Sequence, residues 1–253
     1  MRNTFSSLGE KVLTFLSGKS NWASSRRKRR IEKLYRTRGY LEAYSKHTDI
    51  RVQLDPHRAV GGAWEQIGRH QFDFLVNNGL QPHHRMLDIG CGTLRGGRHF
   101  LRYLNSRNYS GMDISPKAIE YGKQLVQQEG LSEKQPRLLV SRNRDLRFEE
   151  FSGETFDYLL AQSVFTHLKP EHIEECFQHV GRIMKPVDSV FFFTFKEKPE
   201  YRQSGLKGFH YPFSYFQTLA DQFGFQVKNR SLDYKHPRGQ HLAVLTKKAS
   251  PPK

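Results

Sequence analysis

The chain has 253 residues and a mass of 29.6 kDa, enough to bury one sizeable core. Its 36% hydrophobic content, with Phe, Tyr, Leu and Val recurring in blocks, excludes a disordered chain, and its two cysteines, Cys91 and Cys176, exclude a disulfide framework. The net charge of +16 is unevenly spread: residues 1–40 hold eleven Lys/Arg against two Glu, so whole-chain charge overstates how basic the folded part is and does not by itself imply nucleic-acid binding.

At the start, Phe5, Leu8, Val12, Phe15 and Leu16 recur at helical spacing, followed by Trp22 and the run Arg26 to Arg30. Residues 1–50 therefore read as a basic, partly helical extension, compatible with a solvated helix, peripheral contact with an anionic membrane, RNA contact or a targeting role. Residues 51–250 read as one domain. It opens with a lead-in helix over about 55–79 that sets Trp64, Ile67, Gln71, Phe72 and Leu75 on one face and stops at Gly79.

Beyond it, strands are expected near 85–90, 109–114, 137–142, 156–161 and 189–195, with helices over 95–105, 116–129 and 170–184 between them. The second and third helices open at Pro116 and Pro170, the first-turn position that proline favours. A helix over 212–223 leads to strands near 225–232 and 240–247, and two successive strands closing a βα series predict an antiparallel hairpin at the sheet edge. The predicted class is α/β, a Rossmann-like, doubly wound, mostly parallel seven-stranded sheet. No stretch approaches the roughly 20 apolar residues of a membrane span, and no Cys/His clustering suggests a metal, so a reducing, cytoplasmic setting is expected.

The run Met86-Leu87-Asp88-Ile89-Gly90-Cys91-Gly92-Thr93-Leu94-Arg95-Gly96-Gly97 places an acid and close glycines where the first strand turns into a helix. Glycine permits positive φ and close approach of a ligand to the backbone, and the helix start offers unpaired N–H groups. A dinucleotide G-x-G-x-x-G series begun at Gly90 fails, because position 95 is Arg95. Asp88 beside a pyrophosphate would be repelled, but it suits a cofactor carrying sulfonium and ammonium groups. Asp113, about 20 residues on at the end of the second strand, is placed to accept ribose hydroxyls.

These segments together resemble the class I S-adenosylmethionine-dependent methyltransferases, from about Asp88 to Phe195 and more weakly to Lys247. Leu87 to Gly92 looks like the first motif, Asp113 matches the ribose-binding acid, Phe156 to Leu160 looks like the fourth strand, and Met184-Lys185-Pro186 resembles the turn before the fifth, with Val187 and Asp188 in place of its glycines. The family's third turn glycine is here Leu94. The resemblance implies S-adenosyl-L-methionine as cofactor, held by Asp88, Gly90, Cys91, Gly92, Asp113 and Ile114, by Asp145 at the adenine, and by Gln162 and Ser163 beside the methyl group, with Leu94 able to pack on the methionine part.

His167, following the fourth strand, is the candidate general base, against a plain packing role. Trp64, Arg69, Tyr211 and His236 are candidates for the acceptor wall, against core packing and ordinary turn chemistry. The resemblance would require an Asn/Asp-Pro-Pro-aromatic run after the fourth strand for methylating a nucleobase amino group, and none follows it; with the cysteines poorly placed as nucleophiles, base methylation is disfavoured. The leading expectation is O- or N-methylation of a small-molecule or glycan acceptor. The alternatives are an RNA or protein methyltransferase that uses residues 26–30 as a basic tail, and a non-catalytic S-adenosylmethionine-binding partner subunit.

Overall fold

The computed structural model describes residues 24–248. The expected helical pattern from Phe5 to Leu16 and Trp22 lies outside the described residues. The chain divides into two compact units between His47 and Thr48. In the first, helix α1 covers 24–37 and carries the basic run Arg26 to Arg30 on exposed positions. A second helix, α2 (Tyr40–Leu54), follows, which the sequence pattern did not single out.

In the second unit the lead-in is two helices rather than one. Helix α3 (Pro56–Ala59) is capped by Asp55, whose side chain accepts the N–H groups of His57 and Arg58. The chain then turns through Gly61 (φ 96°), Gly62 (φ 66°) and Ala63 (φ 47°) before α4 (Trp64–Asn77) begins. Three successive residues at positive φ cannot continue a helix, and Gly61-Gly62 was the sequence signal for that break. Helix α4 buries Ile67, Gly68, Gln71, Phe74 and Leu75.

Strands and helices then alternate: β1 (Met86–Ile89), α5 (Gly97–Tyr103), β2 (Tyr109–Asp113), α6 (Pro116–Gln128), β3 (Arg137–Val140), β4 (Tyr158–Ala161), α7 (Pro170–Val180) and β5 (Val190–Phe195). A short hairpin, β6 (Arg202–Ser204) and β7 (Gly208–His210), precedes α8 (Phe213–Gln222), β8 (Phe225–Asn229), α9 (Ser231–Tyr234) and β9 (His241–Lys247). The seven-stranded sheet runs β3-β2-β1-β4-β5-β9-β8, with β9 antiparallel to both its neighbours. The closing strand pair is thus antiparallel as expected, but β9 inserts beside β5 and only β8 occupies the edge.

Alternation along β5 divides the core. Phe192 joins Phe74, Tyr158 and Tyr234 in the cluster under α4, α5 and α6, while Phe191, Phe193 and Phe195 meet Phe165, Phe177 and Phe216 on the other face. The chain leaves β1 toward β2 on one side and returns as β4 on the other. That reversal is the topological switch point, where open α/β sheets leave a crevice at the strand carboxyl ends.

Candidate active site

At the end of β1, Gly90 (φ 69°) and Gly92 (φ 56°) take left-handed conformations. A β-carbon on Gly90 would stand 2.5 Å from Val164 Cγ2, and one on Gly92 would stand 2.6 Å from Val60 Cγ1, so neither position accepts a side chain. The N–H groups of Gly90 and Cys91 donate to Met112 O at 2.8 and 3.0 Å, and Gly92 N–H donates to Asp113 Oδ2 at 2.9 Å, which stitches the turn to the end of β2.

Asp113 Oδ1 also accepts Ser115 N–H at 2.8 Å. The Ile114 N–H is a third main-chain partner, so of a carboxylate's roughly four lone-pair positions about one remains for a ligand hydroxyl. Burial pushes the Asp113 carboxyl up to about 6, opposed by these main-chain N–H groups. Asp88 is almost wholly enclosed and accepts the Tyr109 hydroxyl at 2.7 Å. Its desolvation outweighs that hydrogen bond and lifts the carboxyl to about 7. Cys91 is buried, with its sulfur packed toward Gly111 and its thiol pushed well up, so it lines the turn as a neutral group. Ile114, half-buried, follows Asp113 directly.

Leu94 departs from the expectation that it packs on the methionine end of a ligand. It adopts φ 63° and is buried in the core, where its branches lie close to Gly97 and Gly122. The turn keeps its left-handed geometry without a third glycine because the leucine side chain is received by that two-glycine notch. Asp188, standing where the resemblance expects glycine, likewise takes φ 58°, a conformation that Asp tolerates.

After β4, Ser163 adopts φ 61° and donates its N–H to Thr194 Oγ1 at 2.7 Å. Its neighbour Gln162 is buried, with Oε1 accepting the Tyr234 hydroxyl at 2.6 Å and Nε2 lying 3.2 Å from both Ser163 Oγ and His236 Nε2. His236 Nδ1 accepts Arg238 N–H at 3.1 Å, and Ser163 Oγ meets the Gln240 amide at 3.0–3.1 Å. The β8–β9 connection therefore closes on the end of β4, and it brings His236 to Gln162 and Ser163. Burial, with Arg95, Arg238 and His70 around it, holds His236 down to about 4.

His167 lies on a short turn after β4, with Nδ1 2.6 Å from Lys207 O in the β6–β7 hairpin. Burial foremost, then the Lys207 charge, pulls it down to about 4. Asp145 follows β3 and accepts Arg147 N–H at 3.3 Å, and burial raises its carboxyl.

Three acceptor-wall candidates are not brought to this cluster. Trp64 stacks on His57 at 3.9 Å and packs against the core. Arg69 is exposed and pairs with Asp73 through two contacts of 2.8 and 2.9 Å on the outer side of α4. Tyr211 is completely buried among Tyr215, Phe216 and Tyr201, with its hydroxyl donating to Leu168 O at 2.6 Å. Its apolar ring outweighed the loop position that had suggested exposure. Conversely, Arg95 and His70 were missed, and Tyr234 and Arg238 were legible only as members of a polar and aromatic loop before the last strand. Arg95 directly follows the glycine turn and Tyr234 sits in a polar loop, but no spacing rule ties either to the end of β4.

Residues 86–187 match the family described as a methyltransferase domain. Among curated relatives, methyltransferase phqN of Penicillium fellutanum is 25% identical over 154 residues, covering 57% of this chain and 45% of that protein. Cycloartenol-C-24-methyltransferase of Arabidopsis thaliana is 26% identical over 122 residues, covering 48% of this chain and 34% of that protein. The chain thus spans less than half the length of these relatives. Magnesium protoporphyrin IX methyltransferase from Synechocystis PCC 6803 with bound SAH superposes with a TM-score of 0.61 at 15% identity, covering 83% of this chain and 100% of that one. The cyclase SpnF superposes with a TM-score of 0.63 at 16% identity, covering 84% of this chain and 98% of that one. A methyltransferase and a cyclase on one architecture show that the fold alone does not fix the reaction. The profile match, the strand order and the glycine turn at the end of β1 agree: the chain carries a methyltransferase domain over residues 86–187, set in the fold of the class I S-adenosylmethionine-dependent methyltransferases.

Proposed function

We propose that this chain binds S-adenosyl-L-methionine and transfers its methyl group to the oxygen or nitrogen of a small-molecule acceptor, with 51–250 as the catalytic domain and 1–50 as a basic appendage. The observation that carries this reading is the junction of Gly92 and Asp113, 2.9 Å apart, at the switch point of the sheet. It joins a turn that only glycine can build to an acid with spare acceptor capacity for a ribose hydroxyl. The residues fit the cofactor: Asp88, Gly90, Cys91, Gly92, Asp113 and Ile114 would hold it at the turn, with Asp145 assigned to the adenine and Gln162 and Ser163 to the sulfonium end. When bound, the cofactor supplies an already activated methyl group, so the protein's task is to align the acceptor with it and exclude water.

The acceptor wall in this reading is His236 and Gln162, the latter held from behind by the Tyr234 hydroxyl, and His167 remains the candidate base. Its ring is fixed by Lys207 O, and with its pKa near 4 it is unprotonated at neutral pH. So weak a base suits an acceptor that is itself a good nucleophile. Small acceptors are favoured because several neighbours carry small-molecule names, among them the porphyrin and cycloartenol enzymes. The test is single-turnover transfer from methyl-labelled S-adenosylmethionine to a panel of hydroxyl- and amine-bearing metabolites. Label on a small product supports the reading, whereas label only on RNA or protein, or none with cofactor bound, contradicts it.

A further inference from the structure

Arg95 is 6% exposed, and no carboxylate pairs with it among the described residues. Its Nη1 is held by two main-chain carbonyls, Val60 O at 2.7 Å and Gly62 O at 3.3 Å, and its buried Nε has no partner. An interior guanidinium satisfied only by carbonyl dipoles is a charge without a counter-ion, and such groups are normally paired or hold a ligand. Beside it stands Arg238: a β-carbon placed on Gly61 would be 3.0 Å from Arg238 Nη1 and 3.9 Å from Arg95 Nη1. Arg238 is exposed, and its guanidinium meets no carboxylate among the described residues.

Burial lowers the pKa of His70 and His236, so these neighbours stand as neutral imidazoles and add no counter-charge. His70 lies 6.2 Å from the His236 ring and has a buried, unpartnered Nε2. Asp88, the acid whose charge acts on Arg95, accepts the Tyr109 hydroxyl, and burial lifts its carboxyl to about 7. Both guanidiniums therefore converge on the side of Gly61 where a side chain would otherwise stand, and the missing β-carbon leaves that space to them. Planar, paired N–H donors of this kind suit a carboxylate or phosphate.

We infer that Arg95 and Arg238 form a subsite for an anionic group, carboxylate or phosphate, on the methyl acceptor. This rests on the proposed function, since the β8–β9 connection that carries Arg238 is the one that brings His236 to Gln162 at the end of β4. Arg238 is the exposed member at the entrance, and Arg95 is the fixed member within. The acceptor is then an acid or a phosphorylated compound that presents its nucleophilic atom toward Gln162 and Ser163.

The test is titration of the full chain with inorganic phosphate, with and without S-adenosylhomocysteine, for wild type, Arg238→Gln and Arg95→Lys. Arg238→Gln removes an exposed side chain, so its folding is not at risk, and Arg29→Gln in the basic run controls for general charge. The expected result is phosphate binding weakened at least tenfold in Arg238→Gln and Arg95→Lys and unchanged in Arg29→Gln. S-adenosylmethionine affinity should stay within twofold in Arg238→Gln. Equal phosphate binding in wild type and Arg238→Gln, or none in wild type, overturns the inference. So does a tenfold loss of S-adenosylmethionine affinity with binding of 5′-methylthioadenosine intact, because the pair would then hold the cofactor's own carboxylate. Failure of wild type to bind any of these nucleosides defeats the proposed function instead, and the phosphate titration without them still reports on the pair.

Discussion

Asp113 accepts the Gly92 N–H at 2.9 Å, so the acid assigned to the ribose also holds the glycine turn in place. Its replacement should show in two readouts at once. Asp113→Ala is expected to weaken S-adenosylmethionine binding by roughly 1–3 kcal/mol through lost charge-assisted hydrogen bonds, and to lower the melting temperature without ligand because Gly92 and Ser115 lose their acceptor. Calorimetric titration and thermal melting check this. Unchanged affinity contradicts the assignment.

Asp88 has a counter-intuitive effect on stability. Its folded pKa, near 7, lies above the ordinary carboxylate value, so between about pH 4 and 7 the folded state binds its proton more tightly than the unfolded chain does. Stability is therefore lost as pH rises through that window. His167 and His236, both held near 4, act oppositely: the unfolded chain binds their protons more tightly between about 4 and 6.5, so their contribution is lost as pH falls. Asp88→Asn should stabilise the ligand-free protein at pH 8 by roughly 2–4 kcal/mol and make its melting temperature climb more steeply from pH 4.5 to 7 than that of wild type. A variant less stable at pH 8 would contradict this. The same change should weaken cofactor binding, the familiar exchange of stability for function.

Leu94 at φ 63° tests the two-glycine notch. Leu94→Ala should cost roughly 2–5 kcal/mol by opening a cavity. Leu94→Gly opens a similar cavity but relieves about 1 kcal/mol of left-handed strain, so it should be the more stable of the two, the reverse of the usual order. Chemical denaturation of both variants decides.

Tyr234→Phe keeps the ring packed on Phe74, at 4.8 Å, but takes the hydroxyl from Gln162 Oε1. A loss of about 1–3 kcal/mol is expected. A denaturation midpoint matching wild type would mean that the hydroxyl contributes nothing to holding the β8–β9 connection on β4.

Much of this was legible from local chemistry. Pro116 and Pro170 marked helix starts, apolar blocks marked strands, and Asp88, Gly90, Gly92 and Asp113 marked the crevice, because each signal acts within a few residues of itself. What was not legible depends on distant partners. The break at Gly61-Gly62 is a local signal that was passed over, but its purpose, admitting Arg95 and Arg238, involves residues far along the chain. Tyr211 and Tyr234 are both tyrosines beside polar loops. One was buried against Phe216 and the other against Phe74, and no periodicity distinguishes either from an exposed loop residue. The β6–β7 hairpin was missed because strands of three residues carry too little alternation to be read.

The central claim is tested most directly by calorimetric titration of the wild-type chain with S-adenosylmethionine, S-adenosylhomocysteine and NAD. The account predicts binding of the first two and not of NAD. Binding of NAD, or of none of the three, would contradict it.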